Sequence, residues 1–303
     1  MSGRSSPAGT QEWVERPERG SLATIKICVW IALRLGRRVA QLFLYPICLY
    51  FLLSSPAALS ASRNYLSRVL GRRAGWRESY RHFLTFGTCV LDRVFLLNDQ
   101  DHWFEITVHG DEILRQIDQQ GGGCLLFGAH FGSFEAARTA RRRYRELPVS
   151  LLMYEENAKK IRAALGAINP RLKTEVIGLG RLDSLIAVAE RLRAGHFVGV
   201  LADRNPDGRD MVRLPFLGAE ATFPQGPFKV AMMLGRPVVM MAGVYKGNGR
   251  YEVRFELLAP ERASRPADPK AWTDEIMRLY AQKLAALCRE TPYNWFNFYD
   301  FWA

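Results

Sequence analysis

A histidine and a glutamate five positions apart, His130 and Glu135, stand where one residue pattern gives way to another. Ahead of them an apolar run, Cys124–Phe127, follows three glycines, Gly121–Gly123. Behind them Ser133 is a good helix N-cap, placing Glu135 in the first turn of a helix. His130 would then lie at the C-terminal tip of a strand, where open α/β sheets hold their ligands. A neutral imidazole there can take a proton from an attacking alcohol, while a carboxylate fixes its tautomer and stabilises the imidazolium. Glu135 is the expected carboxylate, folding back onto the ring. Backbone N–H groups at the helix start could stabilise an oxyanion. The spacing alone also fits a packed or surface histidine.

Other chemistries fit the stretch less well. Ser133 is not framed as G-x-S-x-G, so it lacks the elbow of a serine nucleophile. H-x4-E differs from the H-E-x-x-H zinc pattern, and no second histidine is close by. The triple glycine precedes its strand, whereas a phosphate loop follows one, so it reads as a turn. A second candidate cluster is Ala202-Asp203-Arg204, at the end of the apolar run Phe197–Leu201. Arg204 could grip a phosphate or carboxylate, with Asp203 holding it; a structural ion pair is the plainer alternative. Arg138, Arg141, Arg142 and Arg145 recur at helical spacing beside Arg143. That face suits an acidic carrier protein or anionic headgroups, or is simply a solvated helix surface.

The elements that must position these residues follow a layered α/β pattern from about Trp103 onward. The expected strands are Cys124–Phe127, Val149–Met153, Glu175–Ile177, Phe197–Leu201, Val238–Tyr245 and Tyr251–Leu258. Expected helices cover Asp183–Arg193, with Leu185, Ile186, Ala189 and Leu192 on one face, Pro224–Leu234 and Ala271–Arg289. Strand order is not legible.

The N-terminal part has another character. Residues 1–21 read as a mobile polar tail. Val39–Leu59 carries no charge for 21 residues, enough to span a bilayer, but Pro46 and Pro56 should kink or end helices within it. Both flanks are basic. Residues 1–38 hold seven Lys/Arg against three Glu, and Arg63, Arg68, Arg72, Arg73, Arg77 and Arg81 follow with only Glu78 among residues 60–81. The positive-inside rule would keep both ends on one side. Residues 22–81 are therefore expected to form a re-entrant or interfacial helical segment on anionic lipid, ahead of an α/β domain over 82–303. A buried helix hairpin is the plainer alternative.

With 303 residues, 48% hydrophobic and 24% charged, the chain can bury a sizeable core. A net charge of +12 points to anionic partners. Five scattered cysteines without a CxxC pair argue against a disulfide framework or a zinc site and fit a reducing compartment.

The block Phe127-Gly-Ala-His-Phe-Gly-Ser-Phe-Glu135 resembles the H-x4-D/E block of the lysophospholipid acyltransferase superfamily, and its bacterial lipid A late acyltransferase branch in particular. Ala202-Asp-Arg204, Leu214–Pro227 and the following Arg236-Pro-Val-Val-Met240 agree in order and spacing, so the resemblance spans about residues 25–300. It implies a glycerolipid acyltransferase-like mixed sheet flanked by helices, with a membrane-associated N-terminal segment, on the cytoplasmic face of the bacterial inner membrane. It implies transfer of a fatty acyl group from acyl-carrier protein, or acyl-coenzyme A, to a hydroxyl of a lipid acceptor, with no metal and no other cofactor. Carried over, His130 is the general base, Glu135 its orienting partner, and Arg204 a holder of an anionic group with Asp203 and Ser133 beside it.

Two departures bear on the acceptor. Pro224-Gln-Gly-Pro227 lacks the Glu-Gly-Thr-Arg type block of glycerophosphate enzymes. No arginine follows Trp295 in a tail where seven of the last eleven residues are aromatic; packing on the core is the expected role of those rings. Another glycolipid, an amino-acid lipid or a polyene-type pigment lipid thus stands beside lipid A as a possible acceptor. A non-catalytic lipid- or membrane-binding protein on the same fold is the alternative function. Nucleic acid is not an expected partner, since no module for it is present.

Overall fold

The computed structural model describes residues 22–142, 149–154, 163–170, 175–179, 182–204, 208 and 210–303. It opens with four helices, α1 (Leu22–Leu35), α2 (Arg37–Ser54), α3 (Pro56–Leu70) and α4 (Trp76–Leu97). Then follow β1 (Glu105–His109), α5 (Asp111–Gln119), β2 (Leu125–Gly128), α6 (Phe134–Arg142), β3 (Val149–Tyr154), β4 (Glu175–Leu179), α7 (Leu182–Arg193) and β5 (Phe197–Leu201). The chain closes with β6 (Met211–Phe216), β7 (Ala219–Pro224), α8 (Gly226–Leu234), β8 (Val238–Gly247), β9 (Arg250–Ala259) and α9 (Pro269–Glu290).

The main sheet runs β1-β9-β8-β2-β5-β3-β4, and β6 and β7 form a separate ribbon. Every neighbouring pair in the main sheet is parallel except β8–β9. Its central strands are covered on both faces, so they read in sequence as unbroken apolar runs rather than alternating ones. Leu125 and Phe127, Val198 and Val200, and Met240 and Ala242 point into one core with α3, α7, α8 and α9. Leu126, Phe197, Val239 and Met241 point into the other with α1, α2, α4, α5 and α6. This is the mixed sheet flanked by helices that the sequence implied.

The sequence reading missed β1, α5 and the β6–β7 ribbon. β1 is half-exposed along its length, and Pro215 lies within β6, so neither presents the apolar run used to recognise strands. The expected break falls at Pro56: α2 ends at Ser54, and Pro56 starts α3 as its first residue. Pro46, by contrast, lies inside α2, on its exposed side, without ending it. α4 runs across residues 81 and 82, where the membrane-associated segment and the α/β domain were divided. Residues 1–21 lie outside the described residues.

The uncharged run is divided between α2 and α3, which meet at 98°. Among the described residues no single helix is long and apolar enough to cross a membrane; that bent pair passes by length and composition together. The helices are tied to the sheet by charge. Arg37 is buried rather than part of a lipid-facing basic flank: its Nε and Nη2 donate to Asp92 Oδ1 and Oδ2 at 2.8 and 3.0 Å. Tyr251 in β9 donates to the same carboxylate at 2.8 Å. One buried ion pair thus joins α2, α4 and the sheet, and removing one partner of such a pair typically costs about 3–5 kcal/mol.

A second tie is His82 in α4, fully buried. Its Nε2 lies 2.8 Å from the Trp295 carbonyl, which can only accept, so Nε2 carries the proton and Nδ1 accepts from Ser62 Oγ at 3.0 Å. Burial lowers its pKa to about 4. With the folded value below the ordinary 6.5, the unfolded chain takes up the proton first as pH falls. The stability held by neutral His82 is therefore complete above about pH 6.5 and is lost between there and about pH 4. Denaturant melts across that window should fall by about 3 kcal/mol, and His82→Gln should flatten the dependence.

Candidate active site

The site is built where two parallel strands end together. In the β2–β5 register Gly128 lies opposite Leu201, and Ala202 N–H donates to the Gly128 carbonyl at 3.0 Å. Two residues further along each strand are His130 and Asp203, so the register alone brings them side by side. The His130 backbone N–H donates to Asp203 Oδ2 at 3.0 Å, and the ring Nδ1 lies 2.8 Å from Oδ1. A carboxylate only accepts, so Nδ1 carries the ring proton and Nε2 keeps the lone pair. Asp203 is fully buried, whereas the His130 side chain is 34% exposed.

The charges follow from this packing. Burial pushes the Asp203 carboxyl up, but the imidazole and the Arg204 guanidinium outweigh it and hold the group well below the usual carboxylate range. His130 moves below 6.5: burial lowers it first and Arg204 adds to that, against the opposing pull of Asp203, with Arg93 lowering it further. The imidazole is therefore neutral at pH 7, with its basic nitrogen Nε2.

Glu135 does not fold back onto the imidazole as the spacing suggested. Its Oε1 lies 2.8 Å from Arg93 Nε of α4, an ion pair without a well-aligned hydrogen bond at that nitrogen. The reason is the path of the intervening chain. Gly132 has φ 57°, and its N–H donates to the Asn294 carbonyl at 2.8 Å while Ser133 N–H donates to Gly243 at 2.8 Å. A Cβ on Gly132 would sit 1.9 Å from the Gly243 carbonyl oxygen, and one on Gly243 would sit 1.9 Å from that of Ser133. Only glycines permit this crossing. It sends α6 off with the first turn against α4, and Ser133 Oγ accepts from Ala136 N–H at 3.3 Å as the expected N-cap.

The C-terminal tail closes the other side. Phe131 and Trp295 form an antiparallel bridge, and Phe296 N–H donates to the His130 carbonyl at 2.7 Å. Trp295 Nε1 donates to Asp203 Oδ2 at 3.1 Å. Arg204 Nη2 donates to the Phe296 carbonyl at 3.0 Å, lies 3.9 Å from Asp203 Oδ2, and stacks over Tyr299 at 5.2 Å. The tail aromatics pack on the core, with Trp295, Phe296 and Phe301 buried. Arg93 and Trp295 are site residues that sequence reasoning missed. Neither is near His130 in the chain, and the aromatic richness of the tail gave no hint of which ring carries a needed N–H.

Of the arginine face, Arg138 is half-buried on α6. Arg141 and Arg142 end that helix, and their side chains, like Arg143 and Arg145, lie outside the described residues. A cavity of 440 Å³ beside the β6–β7 turn and α9, lined by Phe216, Leu217, Gln282 and Arg289 among others, shares no lining residue with this site. Among the described residues no group of three or more His, Cys, Asp or Glu side chains is placed to hold a metal ion.

No curated protein matches the chain. The family of bacterial lipid A biosynthesis acyltransferases matches it over residues 28–302. A match over nearly the whole chain places this protein in the bacterial lipid A biosynthesis acyltransferase family.

Proposed function

We propose that the protein moves a fatty acyl group from a thioester, carried by acyl-carrier protein or coenzyme A, to a hydroxyl of a lipid A-type or related glycolipid acceptor. The observation that carries this reading is the His130–Asp203 pair, which leaves a neutral, partly exposed base at the end of a parallel strand pair. In the reaction Nε2 takes the proton of the acceptor hydroxyl as its oxygen attacks the thioester carbonyl. The tetrahedral intermediate collapses, the C–S bond breaks, and the imidazolium returns the proton to the leaving thiolate. Asp203 holds Nδ1–H throughout and stabilises the transient imidazolium.

The N–H groups of Phe131, Gly132 and Ser133 are taken up by the carbonyls of Ala129, Asn294 and Gly243. Oxyanion stabilisation falls instead to the Phe134 and Glu135 N–H groups opening α6, that of Ala136 being taken by Ser133 Oγ, and to the Arg93 charge. Glu135 then serves the reaction by holding Arg93 in place. Arg204, joined to the tail, and Ser133, joined to α6, shape the acceptor side. Arg138, Arg141, Arg142 and Arg145 remain the candidate docking face for an acidic carrier.

We also propose that α1, α2 and the start of α4 lie on the anionic cytoplasmic surface of the bacterial inner membrane. Trp30, Leu42 and Leu53 are 62%, 64% and 75% exposed, with Phe43, Tyr50 and Trp76 also outward. Exposed Arg34, Arg38, Arg72, Arg73 and Arg77 rim that face. So many exposed apolar side chains on these helices, with exposed arginines among them, suit a lipid interface.

Transfer from labelled acyl-carrier protein into total bacterial lipid extract, read by mass spectrometry, should yield a lipid heavier by one acyl group. His130→Ala and Asp203→Asn should each lose about 10²–10⁴-fold in rate while remaining folded. Unaltered turnover in His130→Ala would remove the base from the mechanism, and in Asp203→Asn its orienting partner. The acid limb of kcat/KM should lie below pH 6.5, activity rising with pH through it, because the His130 pKa is lowered in the free enzyme. Flotation with vesicles containing anionic lipid should recover the protein, and Leu42→Glu with Phe43→Glu should weaken that recovery about tenfold or more without altering the melting temperature. Unchanged flotation would place the lipid contact elsewhere.

A further inference from the structure

The tail residue Trp295 is the largest fully buried side chain among the described residues, and its indole N–H points at a charge. Resting on the reading of His130 as the base, we propose that Trp295 is a positioning residue: its Nε1–H holds Asp203 Oδ2 so that Oδ1 stays on His130 Nδ1. The two oxygens of Asp203 divide the work. Oδ1 faces the imidazole at 2.8 Å, while Oδ2 accepts the His130 backbone N–H at 3.0 Å and the indole N–H at 3.1 Å. Two donors on one oxygen stop the carboxylate from rotating.

The indole is itself fixed. Its ring meets Tyr65, Phe216 and Phe301 edge-on at centroid distances of 5.0, 5.2 and 4.8 Å. Its backbone is bridged to Phe131, and its carbonyl accepts from His82 Nε2 at 2.8 Å. Packing alone would be served by any large apolar ring. An N–H aimed at a fully buried carboxylate does something packing does not: it sets where the negative charge sits.

The other groups facing this pair are known. Arg204 lies 3.9 Å from Asp203 Oδ2, and the Arg93 charge on α4 reaches His130. The Tyr280 hydroxyl and Cys288 thiol on α9 and the Tyr299 hydroxyl in the tail also feel Asp203; Tyr280 donates to the Gly128 carbonyl at 2.8 Å. With the thiol and phenols neutral and Glu135 paired to Arg93, removal of the indole N–H leaves the Asp203 charge less stabilised on Oδ2 and concentrates it toward Nδ1. That favours the imidazolium and loosens the ring.

The test is Trp295→Phe, which keeps a ring and removes the donor. The benzothienyl isostere of tryptophan, with sulfur in place of N–H, serves as a second variant that preserves ring volume. Both should lower kcat about 10-fold with KM within about two-fold, and move the acid limb up by about half a pH unit. In the Asp203→Asn background the same changes should add no more than about two-fold, because the indole acts through that carboxylate. A lower melting temperature with an unmoved acid limb, or losses that multiply in the Asp203→Asn background, would reduce Trp295 to packing and overturn the proposal. Should His130→Ala retain full turnover, or the wild type transfer no acyl group, the reading of the reaction fails separately. The His130 titration, followed by NMR in wild type and the isostere variant, then decides: a raised pKa sustains the indole–carboxylate–imidazole link, and an unchanged one ends it.

Discussion

A carboxylate with no exposure to water must find donors for both oxygens, and Asp203 is the group around which this protein meets that demand. Its donors come from two distant parts of the chain, and a neighbouring charge adds to them. The loop after β2 gives a backbone N–H and the His130 ring, the C-terminal tail gives the Trp295 indole, and Arg204 brings charge from the adjoining position. Satisfying one buried charge therefore fixes the tail against the sheet and the imidazole in one tautomer. The structural need and the proposed chemical use fall on the same hydrogen bonds.

The backbone around the site is equally constrained. The segment 130–133 is held by the tail on one side and by the end of β8 on the other, with the Gly132–Gly243 approach too close for any side chain. Asn294 closes the arrangement by donating to the Tyr245 carbonyl and accepting its N–H. A loop with its N–H groups so occupied resembles a short strand more than a mobile turn. His130 thus stands on a rigid support, which suits a base that must meet a hydroxyl within hydrogen-bond reach.

The N-terminal helices answer a different demand. They bury one side against α4 and the sheet, through Ala32, Ala40 and the Arg37–Asp92–Tyr251 cluster, and leave a broad apolar side outward. In the proposed membrane placement, a helix pair bent at 98° and attached to a charged anchor gives an edge to lie on a surface. In the proposed reaction this would bring a water-borne thioester and a lipid-borne hydroxyl to one face of the same protein.

The sequence by itself determined the local elements that carry strong one-dimensional signals. These were the apolar runs of the central strands, the Ser133 cap, the helix ending near Arg193, the helix break at Pro56, and the histidine at the end of β2. Each depends on residues close together in the chain, so periodicity and capping chemistry suffice. The half-exposed β1 and the proline-containing β6 were invisible because edge and ribbon strands lack a two-sided apolar run. The partner of His130 was decided by tertiary structure alone. Five residues of spacing made Glu135 the natural choice, but the parallel register of β2 with β5 aligned Asp203 from 73 positions away, and the Gly132 turn carried Glu135 to Arg93. The role of Trp295 was hidden for the same reason: which donor meets a buried charge is settled by how strands and tail close in space, and single-chain order does not encode that distance.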